Sequence, residues 1–368
     1  MIHNKNREPW IDNVKALAIL MVIIGHSIGL LNSVPGSMRI LSTWIVAVNM
    51  PLFVIMTGWT AYRGFDRIEN FASLLAFSEK LFERTVLPSV AVSFWYAIYH
   101  NEFLARRLWI IFFGVTGIYF VFKIYNNKLP QYLNYVLRTV MIFFLVGSSF
   151  SINYFWFLVM IIEFQSIGGI ISLLLHHLKL NEAKRFWWGC LFFCIVVYGL
   201  CPGWSKEFPL YFCIGLLAYR LRMFDNLVRM PIWGFLVAFI VSLGSALYCR
   251  HYSFYEYAFS ALIEHGAQWF FFLRQINGIV ISMIIIRIVI ACSGNYNEIS
   301  RFGSFSMSLY MVHTQITAIS PISFTRTTVL LCWFQLLLIV VVLTGISYAL
   351  ILLFNVWGPS RKLFLGKD

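Results

Sequence analysis

Apolar runs of about 17–25 residues recur along the whole chain, separated by short polar stretches. Each can cross a hydrocarbon core about 30 Å thick as a helix rising about 1.5 Å per residue. The runs fall at 14–31, 40–62, 82–99, 108–126, 132–150 and 152–176, then at 186–200, 207–221, 231–249, 268–291, 303–322 and 328–356. They predict an all-α, polytopic transmembrane bundle of about 10–12 helices, folded as a single domain over 1–368. The short runs 186–200 and 207–221 are open to a second reading, as one broken hairpin. The run 132–150 carries Asn134 and Arg138 and reads as a span or a re-entrant element. An outer-membrane barrel is excluded, since its strands alternate over segments of about ten residues.

Composition sharpens this picture. Of 368 residues, 60% are apolar and only 12% charged, and the mean hydropathy is +0.78. Such values exclude a soluble fold, a disordered chain and a separate soluble catalytic domain. The net charge of +13 contains no run of five or six basic residues and no nucleic-acid motif, so no nucleic-acid partner is expected. Its distribution speaks to topology instead. With the N-terminus cytoplasmic, about 21 basic residues fall on one side and about 7 on the other, which predicts both termini in the cytoplasm. The polar N-terminal stretch lacks a small-residue cleavage site, so the first span is expected to be retained. The seven cysteines mostly lie inside apolar runs and form no CxxC pair, so neither a disulfide framework nor a metal is expected.

Ionisable groups inside spans cost at least about 2.5–3.5 kcal/mol on insertion scales, so each calls for a reason. Lys15 and His26 lie eleven residues apart in the first span. Eleven residues advance about 16.5 Å and turn about 1100°, only 20° past three revolutions, so both point the same way at two depths. A neutral imidazole can take a proton from a hydroxyl, and a cation nearer the cytoplasm can hold an anion. The same spacing also suits a core histidine bonded to a neighbouring helix above a snorkelling lysine. His313 lies at a comparable depth in the eleventh run, with Tyr310 three residues before it on the same face. Glu163 falls within the sixth run, where it could orient a histidine or pair with a basic group. Asn49 precedes Pro51, whose break in the helical ladder suits a cavity wall. Lys80 and Arg84, four apart at the start of the third span, could bind phosphates, lipid headgroups or simply mark the cytoplasmic side.

These pieces occur in an order that resembles acyltransferase family 3, closest to its fucose 4-O-acetylase-like sugar O-acetyltransferase branch. The first block is IDNVKALAILMVIIGH, with Ile11, Asp12, Lys15 and His26. The second is Asn49-Met50-Pro51-Leu52-Phe53 followed by Thr57-Gly58. Lys80, Arg84 and Pro88 form the third, Trp156-Phe157-Leu158 the fourth, and Gly303, Ser306, Tyr310 and His313 the fifth. Lys15 stands where many members carry arginine, and Asn49 where histidine is common. The resemblance implies a multi-pass protein of the bacterial cytoplasmic (inner) membrane, in contact with membrane lipids. It implies O-acyl transfer, chiefly acetyl from acetyl-CoA as co-substrate, to a hydroxyl of an envelope carbohydrate or lipid-linked glycan such as an O-antigen or exopolysaccharide sugar. In that reading His26, His313, Tyr310 and Glu163 are the catalytic candidates. Lys15, Lys80, Arg84 and Asn49 are the donor-binding candidates. Intramembrane His and Glu residues also fit a transporter or a flippase for lipid-linked glycans, although the halves of the chain show no internal repeat.

Overall fold

The computed structural model describes residues 8–31, 34–89, 156–178, 180–201, 205–227, 229, 231–249, 268–294, 297–319 and 328–365. The expected spans 108–126 and 132–150, and the part of 82–99 beyond Ser89, lie outside the described residues. Every described element is helical. In chain order these are α1 (Pro9–Gly29), α2 (Gly36–Phe65) and α3 (Phe71–Leu81), which continues through a π turn, Phe82–Val86. Next come α4 (Trp156–His177), α5 (Glu182–Leu200), a 3-10 turn at Ser205–Glu207, α6 (Pro209–Arg220) and α7 (Met223–Leu227). Then follow α8 (Ile232–Cys249), α9 (Gln268–Cys292), α10 (Glu298–Gly303), α11 (Ser306–Ile319), α12 (Val329–Phe354) and α13 (Gly358–Leu365).

Six described helices are long and apolar enough to cross a membrane: α1, α2, α4, α5, α12 and the Gln275–Cys292 part of α9. The run at 186–200 thus belongs to a full 19-residue helix, α5. Its neighbour at 207–221 does not match it. With 12 residues, α6 rises about 18 Å, well short of a bilayer core. The run at 303–322 is also divided, between α10 and α11 at Ser304–Phe305.

Local chemistry explains where several helices begin. Pro9 opens α1 at a position where a missing N–H costs nothing. The Asn70 side chain accepts from Ser73 N at 2.9 Å while the Ser73 hydroxyl reaches back, a reciprocal cap for α3. Asn181 and Asn297 accept from the third backbone N–H of α5 and α10 in the same way. The π turn precedes Pro88, whose ring would collide with the Arg84 carbonyl in an unbroken α-helix. The widened turn instead lets Leu87 N–H reach the Phe82 carbonyl.

Packing sets the helix directions. Glu8, just before α1, lies 3.9 Å from Arg63 near the end of α2, so these two helices are antiparallel. Arg63 Nε donates to the Tyr219 hydroxyl of α6 at 2.7 Å, and Arg220 donates to the Glu182 carbonyl of α5 at 2.9 Å. Phe302 and Tyr348 are 5.4 Å apart, and Phe354 stacks on Phe364 at 4.4 Å, which brings the end of α12 and α13 to the same end as α1's start. Both ends of the described chain therefore share one basic end of the bundle, in keeping with the positive-charge asymmetry along the sequence. Gly58 of α2 and Gly215 of α6 form a backbone-to-backbone crossing. A Cβ on Gly58 would strike the Phe212 carbonyl, and one on Gly215 would strike the Ile55 carbonyl. Without a driving force from water, such backbone-to-backbone approaches are how membrane helices gain packing.

Candidate active site

His26 lies in the last turn of α1, 18 residues beyond Glu8, so about 27 Å along the helix from the basic end. Ile45, whose Cγ2 is 3.6 Å from where a Cβ of Gly25 would sit, is likewise 18 residues before Arg63. The imidazole is therefore in the half of the bundle remote from the basic end. There His26 Nδ1 is 3.0 Å from His313 Nε2 of α11, and His313 Nδ1 is 2.7 Å from the Leu309 carbonyl. A carbonyl oxygen can only accept, so His313 carries its proton on Nδ1 and presents a lone pair at Nε2. His26 must then donate from Nδ1, which leaves the lone pair of its own neutral ring on Nε2. The ring centroids are 5.1 Å apart and the planes 24° apart, so the rings meet edge to edge in nearly one plane, as the hydrogen bond requires. His313 is fully buried, whereas His26 keeps part of its surface exposed.

What holds α11 in register with α1 is found at the basic end. A Cβ on Gly303 would collide with the Asp12 carbonyl, so α10 rests directly on the α1 backbone. Asn13 donates to Ser293 Oγ at 2.9 Å and accepts from Ser300 Oγ at 2.7 Å, tying α1 to the end of α9 and to α10. From this anchor His313 is ten residues on and His26 is fourteen beyond Asp12. Gly303 of the fifth block thus has a structural reason: it sets the height at which the two histidines meet.

An aromatic chain links the other blocks to this pair. Tyr310 is buried with its ring edge-on to His313 at 5.7 Å. Phe157 lies 5.2 Å from Tyr310 and 5.5 Å from Phe53. The first, second, fourth and fifth blocks therefore converge on one site. Asn49 is buried, and its Oδ1 accepts from the next backbone N–H, Met50, at 2.7 Å, where Pro51 interrupts the ladder. Gly278 of α9 packs against that break. Its Cβ would lie 2.9 Å from Pro51 Cγ and 3.1 Å from the Ala47 carbonyl that the proline cannot bond.

The remaining candidates stand apart. Glu163 Oε2 accepts from Ser205 Oγ at 2.6 Å and bonds neither histidine. The hydroxyl fills the place that orientation of a histidine or pairing with a basic group would have taken. Lys80 and Arg84 are exposed, on α3 and the π turn, and Lys15 is half-buried on α1. Lys15 and His26 do share a face, but Ile19 and Val22 between them are sealed at 0% and 1% exposure. That strip of α1 packs against neighbouring helices, so the face the two residues share is closed between them. Gln275 and Asn277 went unremarked in the sequence, although amides within the apolar run 268–291 are a signal of the same kind as Asn49. The Leu309 carbonyl and Ser205 gave no such signal, because their roles arise only from the fold.

The arrangement is a directionally bonded imidazole pair, His313 buried and His26 partly exposed, inside a multi-pass membrane bundle with basic residues gathered at one end. No curated protein and no solved structure matches the chain. The family model for the acyltransferase family 3 domain matches residues 8–356, from the turn before α1 to the end of α12. With nearly its whole length matched and four of its motif blocks gathered around His26, the chain belongs to acyltransferase family 3.

Proposed function

We propose that the protein transfers an acetyl group from acetyl-CoA to a hydroxyl of an envelope carbohydrate or lipid-linked glycan, in a bacterial cytoplasmic membrane. The observation that carries the chemistry is the hydrogen-bond chain from the Leu309 carbonyl through His313 to His26, which leaves His26 Nε2 as the proton acceptor. The acceptor hydroxyl gives its proton to Nε2 as its oxygen attacks the thioester carbonyl. The tetrahedral oxyanion then collapses, the C–S bond breaks, and Nε2–H returns the proton to the departing thiolate. While His26 is an imidazolium, its Nδ1–H bond to His313 spreads the charge and keeps the ring aimed, so His313 is a positioning residue. With both nitrogens committed, neutral His313 has no N–H left for an oxyanion. Tyr310 and the Asn49 amide remain the side chains to supply that donor.

Lys15, Lys80 and Arg84 lie toward the basic end and supply positive charge for the donor's phosphates. Because the α1 strip between Lys15 and His26 is packed, the donor's arm reaches His26 from the side on which that imidazole is exposed. If the basic end is cytoplasmic, the reacting hydroxyl is met in the far half of the membrane.

Thiol release from acetyl-CoA by purified protein, with mass spectrometry of surface polysaccharide from cells with and without it, tests this reading. The wild type should add one acetyl ester's mass. His26→Ala should lose at least about a hundredfold in rate, within the range of general-base effects. An expressed His26→Ala protein that still acetylates at the wild-type rate would remove His26 as the base.

A further inference from the structure

Of the 19 residues of α5 only Phe193 and Val197 are buried, so this span runs along the edge of the bundle. It meets α4 closely at Gly189, where a Cβ would lie 3.3 Å from Leu175 Cδ1. One turn nearer the basic end, half-buried Arg185 reaches across the same seam. Its Nη1 is 3.5 Å from His176 Nδ1 and its Nη2 is 3.5 Å from the Leu180 carbonyl. Both distances are too long for strong hydrogen bonds. Its Nε–H is sealed and has no acceptor, and among the described residues no carboxylate pairs with this guanidinium. Nearby cations are better engaged. Arg63 donates to the Tyr219 hydroxyl at 2.7 Å, and Arg220 donates to the Glu182 carbonyl at 2.9 Å while lying over the Phe186 ring.

Below Arg185 the same edge of α5 turns apolar. Trp188 and Phe192 lie about 60° and about 20° from it around the helix, and about 4.5 Å and about 10.5 Å deeper. Their rings stack with centroids 5.6 Å apart and are 45% and 41% exposed, so on a membrane-crossing helix they meet acyl chains. Lys184, exposed one turn above Trp188, adds a second cation. Cations at the interface above a lipid-facing aromatic strip match an amphiphile with an anionic head. A soluble anion would leave the strip unused, and a second copy of the chain would bring its own basic end against this one. We propose that the α4–α5 seam binds an anionic phospholipid. Its phosphate oxygens accept from the Arg185 guanidinium and the Lys184 ammonium, and an acyl chain lies along Trp188 and Phe192. The lipid fastens α5, whose own packing is slight, to α4. This site goes beyond acyl transfer and does not depend on it.

The test is native mass spectrometry of the full-length protein in detergent, titrated with phosphatidylglycerol, phosphatidylcholine or inorganic phosphate. The wild type should bind phosphatidylglycerol about tenfold more tightly than phosphatidylcholine. Arg185→Ala should weaken phosphatidylglycerol about tenfold, as loss of a charge-assisted pair does, and Trp188→Ala about threefold. Should Arg185→Ala fail to fold, Arg185→Lys, which keeps the charge and loses the planar fork, should weaken it about threefold. Arg67→Ala removes the same charge from an exposed position at the same end and should stay within about twofold. Equal losses at Arg185 and Arg67 would mean diffuse attraction by the basic end and overturn the site. So would equal affinity for the two lipids, or no retention of phosphatidylglycerol by the wild type. Displacement of the lipid by millimolar inorganic phosphate, with Trp188→Ala indistinguishable from wild type, would make the ligand a free anion and overturn the lipid.

Discussion

Replacing Gly303 by alanine should disable the protein from a contact about 15 Å along the chain from the His313 imidazole and about 21 Å from that of His26. The added Cβ would collide with the Asp12 carbonyl oxygen and sit 2.6 Å from the Asp12 carbonyl carbon and 3.0 Å from Ala16 N. All three are backbone atoms of α1, so no side chain can swing aside. Bringing the 2.6 Å contact to the 3.4 Å of ordinary van der Waals contact needs a separation of at least about 0.8 Å between α10 and α1. Carried along α11, a shift of that size stretches the 3.0 Å His26–His313 bond beyond hydrogen-bonding range. Misplacement of about 1 Å at a catalytic group can cost about a hundredfold in rate, and overpacking costs about 1–3 kcal/mol in stability. Gly345 of α12, where a Cβ would meet nothing within 4 Å, is the matched control. The assay is acetyl-CoA turnover alongside thermal unfolding in detergent. Gly303→Ala should lose about a hundredfold in kcat and unfold earlier, while Gly345→Ala stays within about threefold. A Gly303→Ala protein with wild-type kcat would refute the claim that this contact sets the height of the histidine pair.

The other expectations are narrower. His313→Ala should lower kcat about 10–100-fold while the acetyl-CoA KM stays put, because it removes the partner that aims His26 and leaves donor contacts alone; a raised donor KM would instead make His313 a binding residue. Lys15→Ala should raise the acetyl-CoA KM about tenfold with kcat nearly unchanged, and Lys15→Arg should restore it; unchanged donor affinity would take Lys15 out of the donor site. Together with the loss expected at His26, these separate base, positioning and donor roles by which kinetic constant moves.

Much of the bundle could be read from the chain because an apolar run long enough to span a bilayer has few other uses, and each run that falls in the described residues is helical. His26 and His313 were legible for the complementary reason: a polar ring is expensive there unless another polar group meets it. Their partnership was not, since it depends on α10 resting on Asp12, a contact between residues 291 positions apart. The 3.6-residue period placed Lys15 and His26 on one face correctly. It could not reveal that Ile19 and Val22 on that face are packed shut, because packing belongs to the neighbours. Glu163 stood out as a carboxylate within an apolar run, but the hydroxyl that answers it sits in a turn whose sequence, Ser205–Glu207, looks like an ordinary loop. The length of α6 was misleading for a related reason: Pro209 falls inside the run 207–221 and opens the helix there, which hydropathy alone does not register.

That half-length helix has a consequence for biogenesis. A 12-residue segment is too short to be recognised by the translocon as a stable transmembrane unit of its own. What retains α6 in the membrane is the glycine-to-glycine seat on α2, a helix made some 150 residues earlier and already inserted. Its integration is then a docking event rather than a partitioning event, and a bulky side chain at position 58 or 215 would strand the segment outside before any catalytic group was in place.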